Sequence, residues 1–178
     1  AMYVVNYVFG AQMTSRLMMN LRQEKGYSYG YYAQIDWLKG SSSLIAGGSV
    51  QTDVTKDAIA ETLKEFTDIR RGRPITEEEF ENAKDGILQG FPSQFETQSH
   101  ILQQLGRVAI FGLPDDYYKN FLGNIDALTL DDVRAIASNR IEADRLAILV
   151  VGDREAIFTG LSELGLPIVA VNNEGRPV

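Results

Sequence analysis

Residues 15–30 read SRLMMNLRQEKGYSYG, and this stretch decides how the first part of the chain is organised. Thr14 or Ser15 can cap a helix, because a hydroxyl oxygen at that position accepts a hydrogen bond from the first turn. Gly26 is suited to end the helix, since glycine readily takes the left-handed conformation that follows a helix C-terminus. Aromatic side chains at alternate positions then predict a strand over Tyr27–Leu38. The stretch therefore predicts a helix, a tight turn and a strand.

Two further strands are predicted on either side of this stretch. The apolar run Tyr3–Val8 predicts a strand that ends near Gly10. After the aromatic strand, Lys39-Gly40-Ser41 predicts a hairpin turn that leads into a strand over Ser43–Val50. The hairpin indicates antiparallel pairing, because a turn this short joins only antiparallel neighbours.

Most of the middle of the chain is predicted to be helical. Thr76 and Glu79 form a capping box, in which each side chain accepts a hydrogen bond from the other residue's backbone N–H. Leu63 and Phe66 belong to an apolar series at three- and four-residue steps, which is typical of one buried helical face. The predicted helices cover Ile59–Ile69, Thr76–Gly90, Gln94–Ile110, a short segment after Pro114, and Thr129–Asn139.

The C-terminal part alternates between strand and helix patterns. Arg145–Val151 predicts an apolar strand, Arg154–Leu164 a helix, and Ile168–Val171 a short strand. A hairpin with helices grouped apart from it favours an α+β fold, with a largely antiparallel sheet packed against several helices. Neither a repeat nor a linker interrupts residues 1–178, so we expect a single domain. Because the first residues are already apolar and lack a signal-peptide pattern, we expect a fragment that lacks preceding residues.

The composition argues against several classes of function. The chain has no cysteine, so it has no disulfide framework, thiol nucleophile or cysteine metal site. Its formal charge of −7 argues against a nucleic-acid partner, which requires a clustered basic surface. No apolar run is long enough to span a bilayer, so no membrane partner is expected.

Candidate catalytic motifs are few, because the chain contains one histidine, His100. A catalytic zinc site normally has three protein ligands with imidazole among them, so we expect neither a metal site nor a cofactor in this chain. The motif His-x-x-Glu-His of zinc peptidases is missing for the same reason. Gly47-Gly48-Ser49 is not followed by the lysine of a phosphate-binding loop, and glycines in strands more often mark a bulge.

One pair of side chains is able to support chemistry, namely Arg22 near the end of the predicted helix and Tyr29 at the start of the strand. A helix–turn–strand return can bring both to one side of a cleft. Arginine offers a forked donor for carbonyl oxygens, and tyrosine offers a neutral donor for an oxyanion. From the residues alone, the simpler interpretation is a cation at a helix end and a ring that packs on a strand.

Phe9-Gly10, Ser15-Arg16-Leu17 and Leu21–Tyr29 together resemble the signature of the C-terminal, inactive domain of insulinase/pitrilysin (M16) metallopeptidases. This family commonly has a glycine-rich turn before Ser-Arg-Leu, followed by Leu-Arg-Glu-x-x-Gly-x-x-Tyr. The likeness extends through most of the chain, although only the early signature is specific. Ala11-Gln12 and Gln23 depart from the pattern, since the family often has glycines and an acid at these positions.

The resemblance implies a role in peptide cleavage. In this family two α+β domains close around an unfolded peptide, and one of them carries His-x-x-Glu-His and zinc. The other carries an arginine and a tyrosine, and the motif assigns these roles to Arg22 and Tyr29. Tyr29 would donate to the scissile carbonyl as it becomes an oxyanion, and Arg22 would bind a neighbouring substrate carbonyl. Tyr27 is the alternative candidate for the role of the tyrosine, although it lies two positions before the tyrosine of the family motif.

The resemblance therefore implies a zinc-less domain that supports the substrate and is active only with a zinc-bearing M16 domain or subunit. Two alternatives stay open. The chain can be a non-catalytic structural or interaction subunit related to the peptidases, or a free-standing peptide-binding domain. The habits of the family suggest the bacterial periplasm as the compartment.

Overall fold

Eight α-helices and one β-hairpin make up the fold in the computed structural model, which describes all 178 residues. The hairpin consists of β1 (Tyr32–Asp36) and β2 (Ser43–Gly47), which pair antiparallel with Ala33 opposite Ala46. The helices are α1 (Met2–Phe9), α2 (Arg16–Met18), α3 (Thr55–Thr67), α4 (Glu77–Gly90), α5 (Gln98–Phe111), α6 (Tyr117–Asp126), α7 (Leu130–Arg140) and α8 (Arg154–Ser162). π-Helical turns continue α2 over Met19–Glu24 and α3 over Asp68–Gly72, and 3-10 turns lie at Thr52–Val54, Pro92–Phe95 and Ala143–Arg145. The predicted α+β class with antiparallel strand pairing is confirmed.

Side-chain caps start α4 and α7 where the sequence predicts these helices. The predicted hydroxyl cap of α2 does not form, because Ser15 stands at the N-cap position but its hydroxyl donates back to the Gln12 carbonyl at 2.6 Å. The Thr76 hydroxyl accepts from the Glu79 N–H at 3.2 Å, and the Glu79 carboxylate accepts from the Thr76 N–H at 2.9 Å. Thr129 and Asp132 form a second capping box at the start of α7. The predicted helix over Gln94–Ile110 begins later, because the 3-10 turn at its start gives way to α5 only after the Thr97 cap.

The predicted strand over Tyr3–Val8 is wrong, because these residues belong to α1. Val4, Val5, Val8 and Phe9 are all buried, and this spacing places them on one side of a helix. A short uninterrupted apolar run does not distinguish a buried helix from a buried strand. The helix packs against α4, α7 and β1.

The predicted hairpin is confirmed, although its strands are shorter than Tyr27–Leu38 and Ser43–Val50. Before β1, Ser28 makes only an isolated antiparallel bridge with Val50. The break between the bridge and the regular ladder covers residues 29–31, where the chain bends.

Neither predicted C-terminal strand forms. Residues 146–151 have no regular structure, and Val171 makes only an isolated bridge with Pro177. A strand requires a neighbour that accepts and donates its backbone hydrogen bonds, so an apolar composition alone does not produce one. The predicted helix over Arg154–Leu164 is confirmed as α8.

The core is one cluster of 19 buried apolar residues, drawn from α1, the α2 segment, β1, α3 and the later helices. Phe9 of α1 meets Phe66 of α3 with ring centroids 4.7 Å apart in an edge-on arrangement. Such a contact adds to the burial of both rings. A membrane crossing requires a longer and more apolar helix than any in this fold.

A buried arginine joins the signature stretch to α4. The Arg16 side chain is 3% exposed, and its guanidinium donates to both carboxylate oxygens of Glu79, at 2.7 Å from Nε and 2.6 Å from Nη2. The same group donates to the backbone carbonyls of Arg73 at 2.6 Å and Pro74 at 3.2 Å. Because bidentate charge-assisted bonds are among the strongest in proteins, Arg16 fixes α2 to the start of α4.

The Glu79 carboxyl responds to two opposing influences. Burial raises its pKa, but hydrogen bonds from the Arg16 guanidinium and the Thr76 backbone outweigh burial and hold the pKa below its ordinary value of 4.5. Since the folded-state pKa is the lower one, ionised Glu79 stabilises the fold above pH 4.5. This contribution is lost as the pH falls through the folded-state pKa.

We predict that Glu79→Gln lowers the free energy of unfolding by about 3 kcal/mol at neutral pH, because it leaves the buried Arg16 charge without its anion. The deficit relative to the parent chain should shrink as the pH falls from 4.5 through the lower folded-state pKa, where the folded parent carboxylate itself becomes protonated. Urea unfolding at neutral and acidic pH measures both effects. Glu78→Gln, in the same first turn but exposed, is the matched control, and an equal loss in this control would contradict the role of the ion pair.

Candidate functional site

The segment that carries Arg22 and Tyr29 runs from the π-helical turn into β1. The Lys25 N–H donates to the Asn20 carbonyl at 3.0 Å, and the Tyr27 N–H donates to the Leu21 carbonyl at 2.9 Å. Gly26 then reverses the chain with φ +66°, a conformation that favours glycine. The predicted helix–turn–strand return is therefore present.

Asn20 anchors this turn to α3. Its side-chain amide donates to the Glu61 carboxylate at 3.0 Å and to the Glu65 carboxylate at 2.9 Å. The hydrogen bond from Asn20 is the largest cause that holds the pKa of the Glu61 carboxyl below its ordinary value. Lys25 adds an ion pair to Glu61 at 3.4 Å. The turn below Arg22 is thus held at both ends by α3.

Arg22 is partly exposed and has no strong partner in the protein. Its Nη1 lies 3.6 Å from the Met13 sulfur, which is a weak acceptor. It takes no part in any salt bridge of the fold. The guanidinium therefore keeps most of its donors available for a ligand.

Tyr29 is 96% exposed, and its hydroxyl makes no hydrogen bond to the protein. The backbone on either side of Tyr29 is nevertheless fixed, because the hydroxyl of the buried Ser28 bonds to Gly30 and to the neighbouring Ser49. The Ser28 hydroxyl oxygen lies 2.8 Å from the Gly30 carbonyl oxygen and 2.7 Å from the Ser49 carbonyl oxygen, which share its single proton, and it accepts from the Gly30 N–H at 3.1 Å. Tyr29 is an exposed ring on a fixed turn, so the interpretation of a ring that packs on a strand does not describe it.

Two residues beside Arg22 were missed by the sequence analysis. The Tyr32 hydroxyl lies 3.4 Å from the Met13 sulfur, so Met13 contacts both Tyr32 and Arg22. Met13 lies in the loop after α1, where no periodic pattern of residues predicts the position of a side chain. Tyr32 falls on the side of β1 that the alternation pattern assigns to polar residues, and its ring is 45% exposed.

The structure does not join Arg22 and Tyr29 to each other by a hydrogen bond; both are presented to solvent from one connected segment. The rival Tyr27 is half-buried and packs against the core. Its carbonyl accepts from the Gln51 N–H at 3.1 Å, which ties it to the start of α3. Packing therefore accounts for Tyr27, whereas no packing contact accounts for the hydroxyl of Tyr29.

The donor set of this chain does not suit zinc. No group of three or more histidine, aspartate or glutamate side chains is placed to hold a metal ion. His100 lies exposed in the first turn of α5, with Nδ1 2.9 Å from the Ser93 carbonyl oxygen. Because a carbonyl oxygen only accepts, Nδ1 carries the proton in this contact.

Gly10 of the signature lets the end of α1 lie directly against β1. Its carbonyl accepts from the Ala33 N–H at 2.8 Å, and Asn6 donates to the Ala33 carbonyl at 3.3 Å. A Cβ atom on Gly10 would overlap the backbone nitrogen and the Cβ of Ala33. This close approach positions the Met13 loop beside Tyr32.

Comparison with known proteins places this geometry in context. Residues 1–87 match the family model of the peptidase M16 inactive domain. The chain is 26% identical over 157 residues to the non-peptidase homolog YmxG of Helicobacter pylori, across 85% of this chain and 35% of that protein. It is 24% identical over 148 residues to the uncharacterized zinc protease YmxG of Bacillus subtilis, across 83% of this chain and 36% of that protein.

A solved structure shares the fold. The crystal structure of a peptidase M16 inactive domain from Pseudomonas fluorescens superposes on this chain with a TM-score of 0.71 and 21% sequence identity. The match covers 80% of this chain and 34% of the Pseudomonas chain. The present chain therefore spans about a third of the length of these relatives. The predicted resemblance to the inactive domain of M16 peptidases is confirmed.

We predict that Gly10→Ala lowers the free energy of unfolding by about 2 kcal/mol, because the added methyl group forces α1 away from β1. Thermal unfolding measures this loss. Gly123→Ala in α6 is the matched control, since no atom lies within 4 Å of its added Cβ, and it should stabilise the helix by about 0.5–1 kcal/mol. Parallel losses in the two variants would show that the contact with Ala33 is not the cause.

Proposed function

We propose that this chain, whose residues 1–87 match the family model of the M16 inactive domain, holds an unfolded peptide for a zinc-dependent endopeptidase with its zinc in a separate domain or subunit. The observation that carries the proposal is the pair of free donors on one anchored segment. The Tyr29 hydroxyl and the Arg22 guanidinium both lack a strong partner in the protein, although their backbone is fixed. Such donors suit a ligand rich in carbonyl oxygens, and a peptide in extended form is such a ligand.

The two side chains would have different tasks. The neutral Tyr29 hydroxyl would donate to the scissile carbonyl oxygen and strengthen that bond as negative charge develops, which is how an oxyanion donor lowers a barrier. Arg22 would donate its fork to a neighbouring substrate carbonyl and fix the position of the peptide. The zinc of the partner would supply the activated water.

The fixed backbone around Tyr29 supports this assignment. An oxyanion donor is effective when it is already in place before the reaction, because no reorganisation is then needed. The Ser28 hydroxyl bonds and the Asn20 anchor hold the turns on either side of Gly26. Only the side chain of Tyr29 can still rotate, and a bound peptide would fix its orientation.

A second candidate function is a non-catalytic structural or interaction subunit. The observation that favours it is the similarity to a Helicobacter pylori protein described as a non-peptidase homolog. A subunit of this kind has no chemical need for two free donors on an anchored turn, so we place it second. Peptide affinity of the chain alone would separate such a subunit from a free-standing peptide-binding domain.

We predict that the chain alone does not hydrolyse a quenched fluorescent peptide, and that hydrolysis begins when a zinc-bearing M16 partner domain is added. Tyr29→Phe should lower kcat by about 10²–10³-fold in the mixture, the usual loss when one oxyanion donor is removed. Arg22→Gln should mainly raise KM, because it removes a contact to substrate that is present before the reaction. Steady-state kinetics of the mixture measures both effects.

Tyr27→Phe is the matched control, since it removes the same hydroxyl from a ring two positions away that packs against the core. Loss of activity in Tyr27→Phe with full activity in Tyr29→Phe would transfer the role to the rival tyrosine. An inactive mixture that forms a complex by gel filtration would instead favour the structural subunit.

A further inference from the structure

Met13 has surroundings that set it apart from the other methionines of the chain. Its sulfur lies 3.6 Å from Nη1 of Arg22 and 3.4 Å from the hydroxyl of Tyr32, and the residue is 48% exposed. Met19 is similarly exposed, at 40%, but its sulfur accepts no hydrogen bond. Met18 is completely buried. Met13 is therefore an accessible thioether on which two donors converge.

The sulfur is a weak acceptor for the donors that meet it. A thioether accepts hydrogen bonds poorly, whereas a charged guanidinium gains most from an oxygen acceptor. The side chains of Arg22 and Tyr32 make no other hydrogen bond in the fold, and no carboxylate forms an ion pair with Arg22. Both donors therefore have capacity for a better acceptor at the position of the sulfur.

The backbone holds this arrangement in place. Met13 lies inside a turn that is closed by the hydroxyl and the N–H of Ser15, which lie 2.6 Å and 3.1 Å from the Gln12 carbonyl oxygen. Tyr32 is the first residue of β1, and Arg22 lies in the π-helical turn that is anchored to α3. The backbones that carry the three side chains are therefore fixed relative to one another.

Exposure makes the Met13 sulfur open to oxidation by a peroxide. A lone pair of the sulfur attacks one oxygen of hydrogen peroxide, and the O–O bond breaks as the S–O bond forms. The proton of the transferred oxygen moves to the leaving hydroxide, which becomes water. The sulfur loses two electrons and the peroxide gains them. The product is methionine sulfoxide, which reductases convert back to methionine.

Oxidation would change Met13 from a poor acceptor into a strong one. The sulfoxide oxygen is attached to the sulfur on which both donors already converge. A polar oxygen at this place can accept a charge-assisted hydrogen bond from the guanidinium. Oxidation of a core methionine disrupts packing, but Met13 does not belong to the core cluster, so its oxidised side chain can stay where it is.

We propose that Met13 is a reversible oxidation site whose sulfoxide oxygen binds the Arg22 guanidinium and the Tyr32 hydroxyl. Oxidation would then occupy the Arg22 donors that the reduced protein leaves free for a ligand. This capture of Arg22 is independent of the peptidase function. Its effect on peptide binding rests on the proposed function, in which Arg22 binds a substrate carbonyl.

The first test is treatment of the chain with hydrogen peroxide, followed by peptide mapping in a mass spectrometer. We expect one oxygen atom on Met13 and one on Met19, because both are exposed, and none on the buried Met18. A mixture of the two methionine sulfoxide reductases, one for each epimer, should return Met13 to the thioether. An unmodified Met13 beside an oxidised Met19 would overturn the proposal, and so would a Met13 sulfoxide that the reductases leave in place.

Hydrogen exchange of the Arg22 guanidinium, measured by NMR, tests the capture itself. In Met19→Leu, oxidation should slow the exchange at Arg22 at least about tenfold, because a hydrogen bond from a charged group protects its protons. Met13→Leu, a volume-conserving change that leaves Met19 to be oxidised, is the matched control and should show the same exchange before and after peroxide. Exchange at Arg22 that is unchanged by oxidation of Met13 would overturn the proposal.

Kinetics of the mixture with the zinc-bearing partner separate the capture from the proposed function. In Met19→Leu, oxidation should raise KM for the quenched fluorescent peptide about tenfold, because the Arg22 donors are occupied. The same oxidation in Met19→Leu with Arg22→Gln should leave KM unchanged, since no guanidinium is there to be captured. An equal rise in both would overturn the role of Arg22. A mixture without hydrolysis would contradict the proposed function alone, because exchange at Arg22 is measured in the chain by itself.

Discussion

The ion pair between Arg16 and Glu79 is the contact on which much of this fold depends. A guanidinium this deeply buried is tolerated only if its charge is balanced and its donors are used, and four hydrogen bonds meet both conditions. Glu79 also closes the capping box of α4, so the same carboxylate starts one helix and holds another. Through this pair the signature stretch is fixed in place before the chain reaches Tyr29.

The signature thus contains two arginines with opposite fates. Arg16 is enclosed and donates four hydrogen bonds, whereas Arg22, six residues later in the same helical segment, faces solvent with a thioether as its protein partner. The Arg16 ion pair holds the helical segment that carries Arg22. A substitution at Arg16 in a relative would therefore affect folding, whereas one at Arg22 would, under the proposed function, affect the binding of a peptide.

The sequence predicted the features that depend on local chemistry. The capping box of Thr76 and Glu79, the left-handed Gly26 and the hairpin follow from residues within a few positions of each other, and all of them form. The errors concern long-range context. Tyr3–Val8 is a helix because its buried surface meets α4 and α7, and Arg145–Val151 lacks a ladder because no strand lies beside it. For the candidate site, the motif suggested Arg22 and Tyr29, which stay a prediction, and the Ser28 bonds, the Asn20 anchor and Met13 required the three-dimensional structure.

Because Met19–Glu24 form a π-helical turn, the number of residues in this segment determines which side chains it presents. A π turn accommodates one residue more than an α-helix of the same span, and such turns are common at functional sites. Each residue of an α-helix advances the direction of the side chains by about 100°. Loss of a single residue here would therefore restore a regular helix of the same span and keep the residues beyond it in place, while side chains inside the turn would change direction by about 100°. Relatives that differ by one residue in this turn would present a different side chain where Arg22 now stands.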